Sequence, residues 1–107
     1  MFTQKILRKV LREKAFYFFS SIGNYIGESA SSLEEFVGKI REVNPKSIEF
    51  HLYRGDFEKW VDEVLGDVRL AEKIRELRNQ KLIGENLQDQ LYQTVLKRYN
   101  ELKTGFT

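Results

Sequence analysis

Five residues close together in the chain carry most of its reactive chemistry: Glu49, His51, Tyr53, Arg54 and Asp56. Imidazole titrates near neutrality and a carboxylate can orient it, so His51 beside Glu49 and Asp56 has the makings of a general base or a metal ligand. A hydrolytic zinc site usually takes about three protein ligands. The chain has one His and no Cys, so two carboxylates would have to complete such a site. Ser20, Ser21, Ser29, Ser31 and Ser32 supply hydroxyls, none of them in a G-x-S-x-G elbow. The expectation is that His51 is structural, holding a turn between two helices, and that Arg54 and Asp56 pair locally across Gly55. No catalytic residue, metal, cofactor or small-molecule ligand is expected.

A second candidate is the run Gly23, Asn24, Tyr25, Ile26 and Gly27, which has the glycine content of a phosphate-cradling loop. It lacks the strand-loop-helix setting and a following Lys-Ser or Lys-Thr, and reads instead as a turn using Gly at positive φ. Two basic faces complete the inventory. Lys5, Arg8, Lys9 and Arg12 line one side of a first amphipathic segment, and Arg69, Lys73, Arg75, Arg78 and Lys81 outnumber Glu72 and Glu76 further on. Either face could neutralise phosphates. A stacking platform for bases would in addition need aromatics on a basic, solvent-facing surface, and the exposed candidates, Tyr17 and Tyr53, are scattered. Ordinary solvation of charged helix faces, with ion pairs around Glu72 and Glu76, is the simpler account.

The elements that position these groups follow from periodicity and caps. Ile6, Leu7, Val10 and Leu11 recur at helical spacing and predict a basic first helix from Thr3 to Lys14. From Ala15 to Ala30, FYFF favours an extended chain and Gly23, Asn24 and Gly27 interrupt it, although Leu7, Leu11, Phe18 and Ile22 would equally continue the helix. This segment is read as extended and irregular. Ser32 and Glu35 form a capping box ahead of Leu33, Phe36, Val37 and Ile40. Asn44 before Pro45 reads as a cap with proline at the first helical position, and Gly55 as a left-handed stop. Together these favour a helix from Pro45 to Arg54 over the strand suggested by the alternation of Ile48, Phe50 and Leu52. Asp56 is read as the cap of a helix carrying Phe57, Trp60, Val61, Val64 and Leu65 and ending at Gly66. Asp67 starts another, with Leu70, Ala71, Ile74 and Leu77 inward. A last helix from about Asn86 to Lys103 carries Leu87, Leu91, Tyr92, Val95, Leu96, Tyr99 and Leu102.

Composition narrows the class. With 107 residues, 41% hydrophobic and 13% aromatic, the chain forms one domain, residues 1–107, able to bury roughly 65% of its unfolded surface without disulfide or metal. Its longest apolar run is the five residues Ala15 to Phe19, far below the ~20 needed to cross a bilayer, and no stretch has the form of a signal peptide. The first helix has too few apolar face residues to hold a membrane surface. The absence of Cys fits a reducing cytoplasm. The net charge of +2 is unevenly placed: residues 1–14 carry +4, 15–67 carry −5, 68–83 carry +3 and the remainder is neutral. The expected fold is all-α, a compact and partly orthogonal bundle of five to six short helices with an irregular aromatic segment near residues 15–30.

The run SIEFHLYRGDFEKWVDEVLGD, residues 47–67, together with FYFFSSIGNYIGESASSLEEF, residues 16–36, resembles a family of small prokaryotic, largely archaeal, domains of unknown function. The likeness spans roughly residues 16–78 and is sharpest at Gly-Asn-Tyr-Ile-Gly, Ser-Leu-Glu-Glu-Phe, Glu-Phe-His and Gly-Asp-Phe-x-x-Trp. It implies a fold and a lineage but no activity and no site residues. The function expected from the residues is non-catalytic, a cytoplasmic protein-interaction module whose partner is a second copy of itself. Leu91, Tyr92, Val95, Leu96, Tyr99 and Leu102 make a stripe on the last helix wider than one core contact requires. Nucleic-acid binding through Lys5, Arg8, Lys9, Arg12, Arg69, Lys73 and Arg78 is the runner-up. An enzyme built on Glu49, His51, Arg54 and Asp56 is a distant third.

Overall fold

The computed structural model describes the backbone of residues 2–105 and the side chains of residues 4–105. The described chain runs α1 (Phe2–Leu7), β1 (Phe16–Ser21), β2 (Asn24–Ala30), α2 (Leu33–Glu42), α3 (Pro45–Arg54), α4 (Asp56–Trp60), α5 (Val68–Asn79) and α6 (Gly84–Thr104). A 3-10 turn at Arg12–Lys14 precedes β1, and one π-helical turn, Val61–Leu65, continues α4. The expected bundle of short helices is present, with a radius of gyration of 12.8 Å, the value for a close-packed chain of this length. The aromatic segment adds a hairpin to that bundle.

Caps set most boundaries. The Ser32 hydroxyl accepts from the Glu35 N–H (3.1 Å) and the Glu35 carboxylate accepts from the Ser31 N–H (2.7 Å), which fixes the start of α2. Asn44 Oδ1 accepts from the Lys46 N–H (2.8 Å) ahead of Pro45, and α3 ends at Gly55 with φ of 82°. Gly55 is favoured there because a Cβ would be strained at that φ; it would also crowd the tip of the Arg78 side chain, 3.0 Å away.

Two expectations change. The first helix does not reach Lys14; it stops at Leu7 because the Arg8 guanidinium takes the Lys5 carbonyl (2.6 Å) and reaches over to Val64 (2.8 Å), while the Val10 N–H donates to Ser31 (2.7 Å). Tertiary bonds thus outbid the helical ones, and Leu11 is left exposed. The segment after it is extended, as expected, but ordered: β1 and β2 pair antiparallel, Phe16 opposite Ala30, across the two-residue turn Ile22–Gly23. The register shifts after Phe18, beside Gly27 at φ of 82°, which places a bulge in β2.

The core joins all the elements. Phe16 and Phe18 from the hairpin meet Phe36, Phe57 and Trp60, with Phe16–Phe57 and Phe36–Trp60 centroids 5.1 and 5.3 Å apart. Leu33, Phe36, Ile40, Phe57, Trp60, Val61, Leu70 and Ile74 are buried together, and Val64 packs half-buried against them. Trp60 also donates its indole N–H to the Lys14 carbonyl (2.8 Å), tying the chain ahead of the hairpin to α4.

Candidate functional site: the cleft between the hairpin and α3

Helix α3 carries the polar cluster and divides it. Residues four apart share a helix face and residues two apart do not, so Ser47 with His51, Glu49 with Tyr53, and Phe50 with Arg54 point three ways. Glu49 turns from His51 and accepts from the Gly84 N–H (2.6 Å) at the start of α6, while the Tyr53 hydroxyl donates to the Leu82 carbonyl. Both clamp the loop between α5 and α6. Burial and the Glu49 charge hold the Tyr53 phenol above its ordinary pKa, keeping it a donor.

His51, Arg54 and Asp56 do come together. His51 is buried, with Nε2 2.8 Å from the Phe19 backbone nitrogen and Nδ1 2.8 Å from Asp56 Oδ2. A peptide N–H can only donate, so Nε2 must be the unprotonated nitrogen and the ring proton sits on Nδ1, donated to Asp56. Arg54 Nε donates to the same Asp56 oxygen (3.1 Å) and its guanidinium lies over the Phe50 ring (4.8 Å). Burial pushes the His51 pKa down; the hydrogen bond and charge of Asp56 oppose this, and the Arg54 charge adds slightly to it.

Ser47, which the sequence reading passed over, completes the arrangement. Its hydroxyl donates to the Phe19 carbonyl (2.7 Å), so both peptide groups of Phe19 are bonded to one face of α3. The helix thereby satisfies part of the strand edge that β2 leaves open. His51 holds the hairpin as well as the turn into α4. Its carboxylate-imidazole pair has the order of a catalytic relay, but a main-chain N–H stands where a nucleophile would be. The signal available in the sequence was Ser47 four residues before His51 on an otherwise apolar face.

Above these groups lies an open cleft of about 330 Å³, lined by Tyr17, Phe19, Ile22, Phe50, Arg54 and Asp56 among others. Among the described residues no group of three His, Asp or Glu side chains is placed to hold a metal ion, and no described helix is long and apolar enough to cross a membrane.

The other predicted residues lie elsewhere. On α6, Leu91, Val95 and Leu102 are buried in the chain's own core, while Tyr92, Leu96 and Tyr99 are half-buried at its margin. The inner half of the stripe is therefore spent within one chain. Arg41 lies over the Tyr92 ring (4.7 Å) and Lys103 over Tyr99 (5.4 Å). Of the cations, Arg8 caps carbonyls as described, Lys9 pairs with Glu35 (3.6 Å), and Arg78 pairs with Glu58 (3.1 Å) beside Arg75 (2.9 Å). Lys5 passes over Gly66, and Arg12 gives its carbonyl to the Tyr17 hydroxyl (2.6 Å). Arg69 and Lys73 share a shallow depression with Glu72, Glu76 and Glu101, a surface of mixed sign. Arg98 was missed altogether: it is buried and forks onto Asp67, with Nε to Oδ2 at 2.7 Å and Nη2 to Oδ1 at 3.2 Å. A cation three residues after Val95 and seven after Leu91, inside the apolar seam, was the signal for it.

The fold and this cleft define a small helical domain with a hairpin clasped to its third helix, its one histidine built into the clasp. Residues 12–105 match the family described as DUF5752, a family of unknown function, and the chain belongs to it. The match takes in α6 and begins after α1, so it is wider at the C-terminal side than the resemblance read from the motifs. No curated protein and no solved structure matches the chain.

Proposed function

We propose that the domain is a non-catalytic protein-interaction module that pairs with a second copy of itself. The observation that carries the first half is the use made of His51: both ring nitrogens are committed, one to the Phe19 N–H and one to Asp56. Proton transfer to a substrate would require breaking a bond that holds the hairpin in place. The second half is supported by apolar surface that the single chain leaves over, with Ile22 and Tyr25 exposed on the hairpin and Tyr92, Leu96 and Tyr99 half-buried on α6. Sedimentation equilibrium on the full chain across roughly 1–100 μM, the range in which weak protein pairs form, should return a dimer. A monomer throughout would remove self-association. Retention of duplex or single-stranded nucleic acid at ~50 mM salt, with affinity falling linearly in log-log terms as salt rises, would put the basic faces in its place.

A further inference from the structure

The outer face of the hairpin is the most unusual surface of the molecule. Strand alternation sends Phe16 and Phe18 into the core and leaves Tyr17 and Phe19 on the other side, where Tyr25 from β2 lies edge-on to Tyr17 and tilted against Phe19, with centroids 5.9 and 5.6 Å away. An antiparallel face turned to water is ordinarily polar; this one carries three aromatic rings. The turn that closes the hairpin presents Ile22 at 84% exposure, the highest of any large apolar residue described. Ile22 stands at the lip of the cleft whose other walls are Tyr17, Phe19 and Phe50.

Building on the self-association reading, we infer that two copies of the chain pair about a twofold axis through this face, the Ile22 turn of each seated in the cleft of the other. A twofold interface uses the same patch on both chains, so that patch must contain both projection and socket. Here an exposed branched side chain and an apolar cleft of about 330 Å³ lie side by side. The charges at the rim fit a copy better than a partner of one sign. Arg54 and Asp56 sit 3.1 Å apart, so the rim offers one charge of each kind. Across a twofold axis Arg54 of one chain can meet Asp56 of the other. Arg54 is bonded to Asp56 through Nε and stacks on Phe50, and about half of its side chain remains exposed. Aromatic rings with Arg, and no Lys among the lining residues, are also the composition that marks the centre of protein interfaces.

The test uses the full chain in three versions at matched concentration: unaltered, Ile22→Glu and Leu96→Glu. Ile22 lies in an exposed turn, so its replacement should leave the circular dichroism spectrum and melting temperature of the monomer in place. The expected result is a dimer whose dissociation constant rises at least 100-fold in Ile22→Glu and less than 3-fold in Leu96→Glu. Because the chain has no Cys, introduced cysteines give a second readout that reports proximity directly. Ile22→Cys and Phe50→Cys proteins, mixed in equal amounts and mildly oxidised, should form the mixed disulfide ahead of either homodimer. A dimer that ignores Ile22→Glu but is broken by Leu96→Glu, or the absence of a mixed disulfide from a dimeric sample, would overturn this surface while leaving self-association standing. A monomer at every concentration would overturn both.

Discussion

His51 can hold the hairpin only while it is neutral. Protonated at Nε2 it would present an N–H to the Phe19 N–H, and the strand would lose one of its two bonds to α3. Its folded pKa lies below the ordinary histidine value of 6.5, first because burial disfavours the imidazolium, with Asp56 opposing and Arg54 adding to the shift. Below that value the unfolded chain takes up the proton before the folded one does, so it binds more protons and stability falls as the pH is lowered. The contribution is complete above about pH 6.5 and is lost as pH drops toward the folded pKa, by up to about 1.4 kcal/mol per pH unit. Thermal melts from pH 8 to pH 5 should therefore show a falling midpoint. His51→Gln should be less stable at pH 8 yet lose less on acidification. An equal loss in the two proteins would mean that carboxylates elsewhere, and not this imidazole, set the acid limit.

At the scale of elements, two long-range contacts tie together segments far apart in the chain. Asp67 caps α5 through the Leu70 N–H (3.2 Å) and at the same time receives Arg98 from α6, both side chains being buried. Removing either partner strands a charge in the interior, which costs about 3–5 kcal/mol. Arg98→Ala and Asp67→Ala should both fall in that range in urea titrations. An apolar pair of similar volume, Asp67→Leu with Arg98→Met, should recover much of the loss although the α5 cap is gone. If the double variant is as weak as either single one, the cap and not the buried charge was the larger contribution. Trp60→Ala should cost about 3–5 kcal/mol, the range for emptying a large aromatic site. Part of that loss reflects the Lys14 carbonyl, which would lose its indole partner and its hold on the approach to β1.

For the molecule as a whole, the pairing proposed above has a thermodynamic signature beyond sedimentation. A dimer that dissociates on unfolding gains stability by mass action, so its melting temperature should rise with protein concentration. The unaltered chain should show this dependence between roughly 1 and 100 μM, and Ile22→Glu should not. A midpoint independent of concentration in the unaltered chain would argue that the hairpin face stays bare in solution.

What the sequence determined by itself lies within a turn of helix. The capping box at Ser32 and Glu35, the Asn44–Pro45 start, the Gly55 and Gly66 stops and the Asp67 cap are contacts between residues two to five apart. Each of these marks is where the signals predict. The apolar periodicity of α2 to α6 likewise chose the core, because a helix can bury only one stripe. Contacts between distant residues were decided by the tertiary structure alone. The first helix stops at Leu7 because Arg8 reaches a carbonyl 56 residues away. FYFF, which local propensity already reads as extended, is fixed in place as an ordered strand because α3 offers Ser47 and His51 to Phe19, 28 and 32 residues distant. The α6 stripe that looked wide enough for two partners is half consumed by its own bundle, and Arg98 within it is aimed at Asp67, 31 residues back. Local propensity cannot encode these outcomes, since each depends on which backbone or charge folding brings to the spot, and a residue's neighbours in sequence say nothing of that.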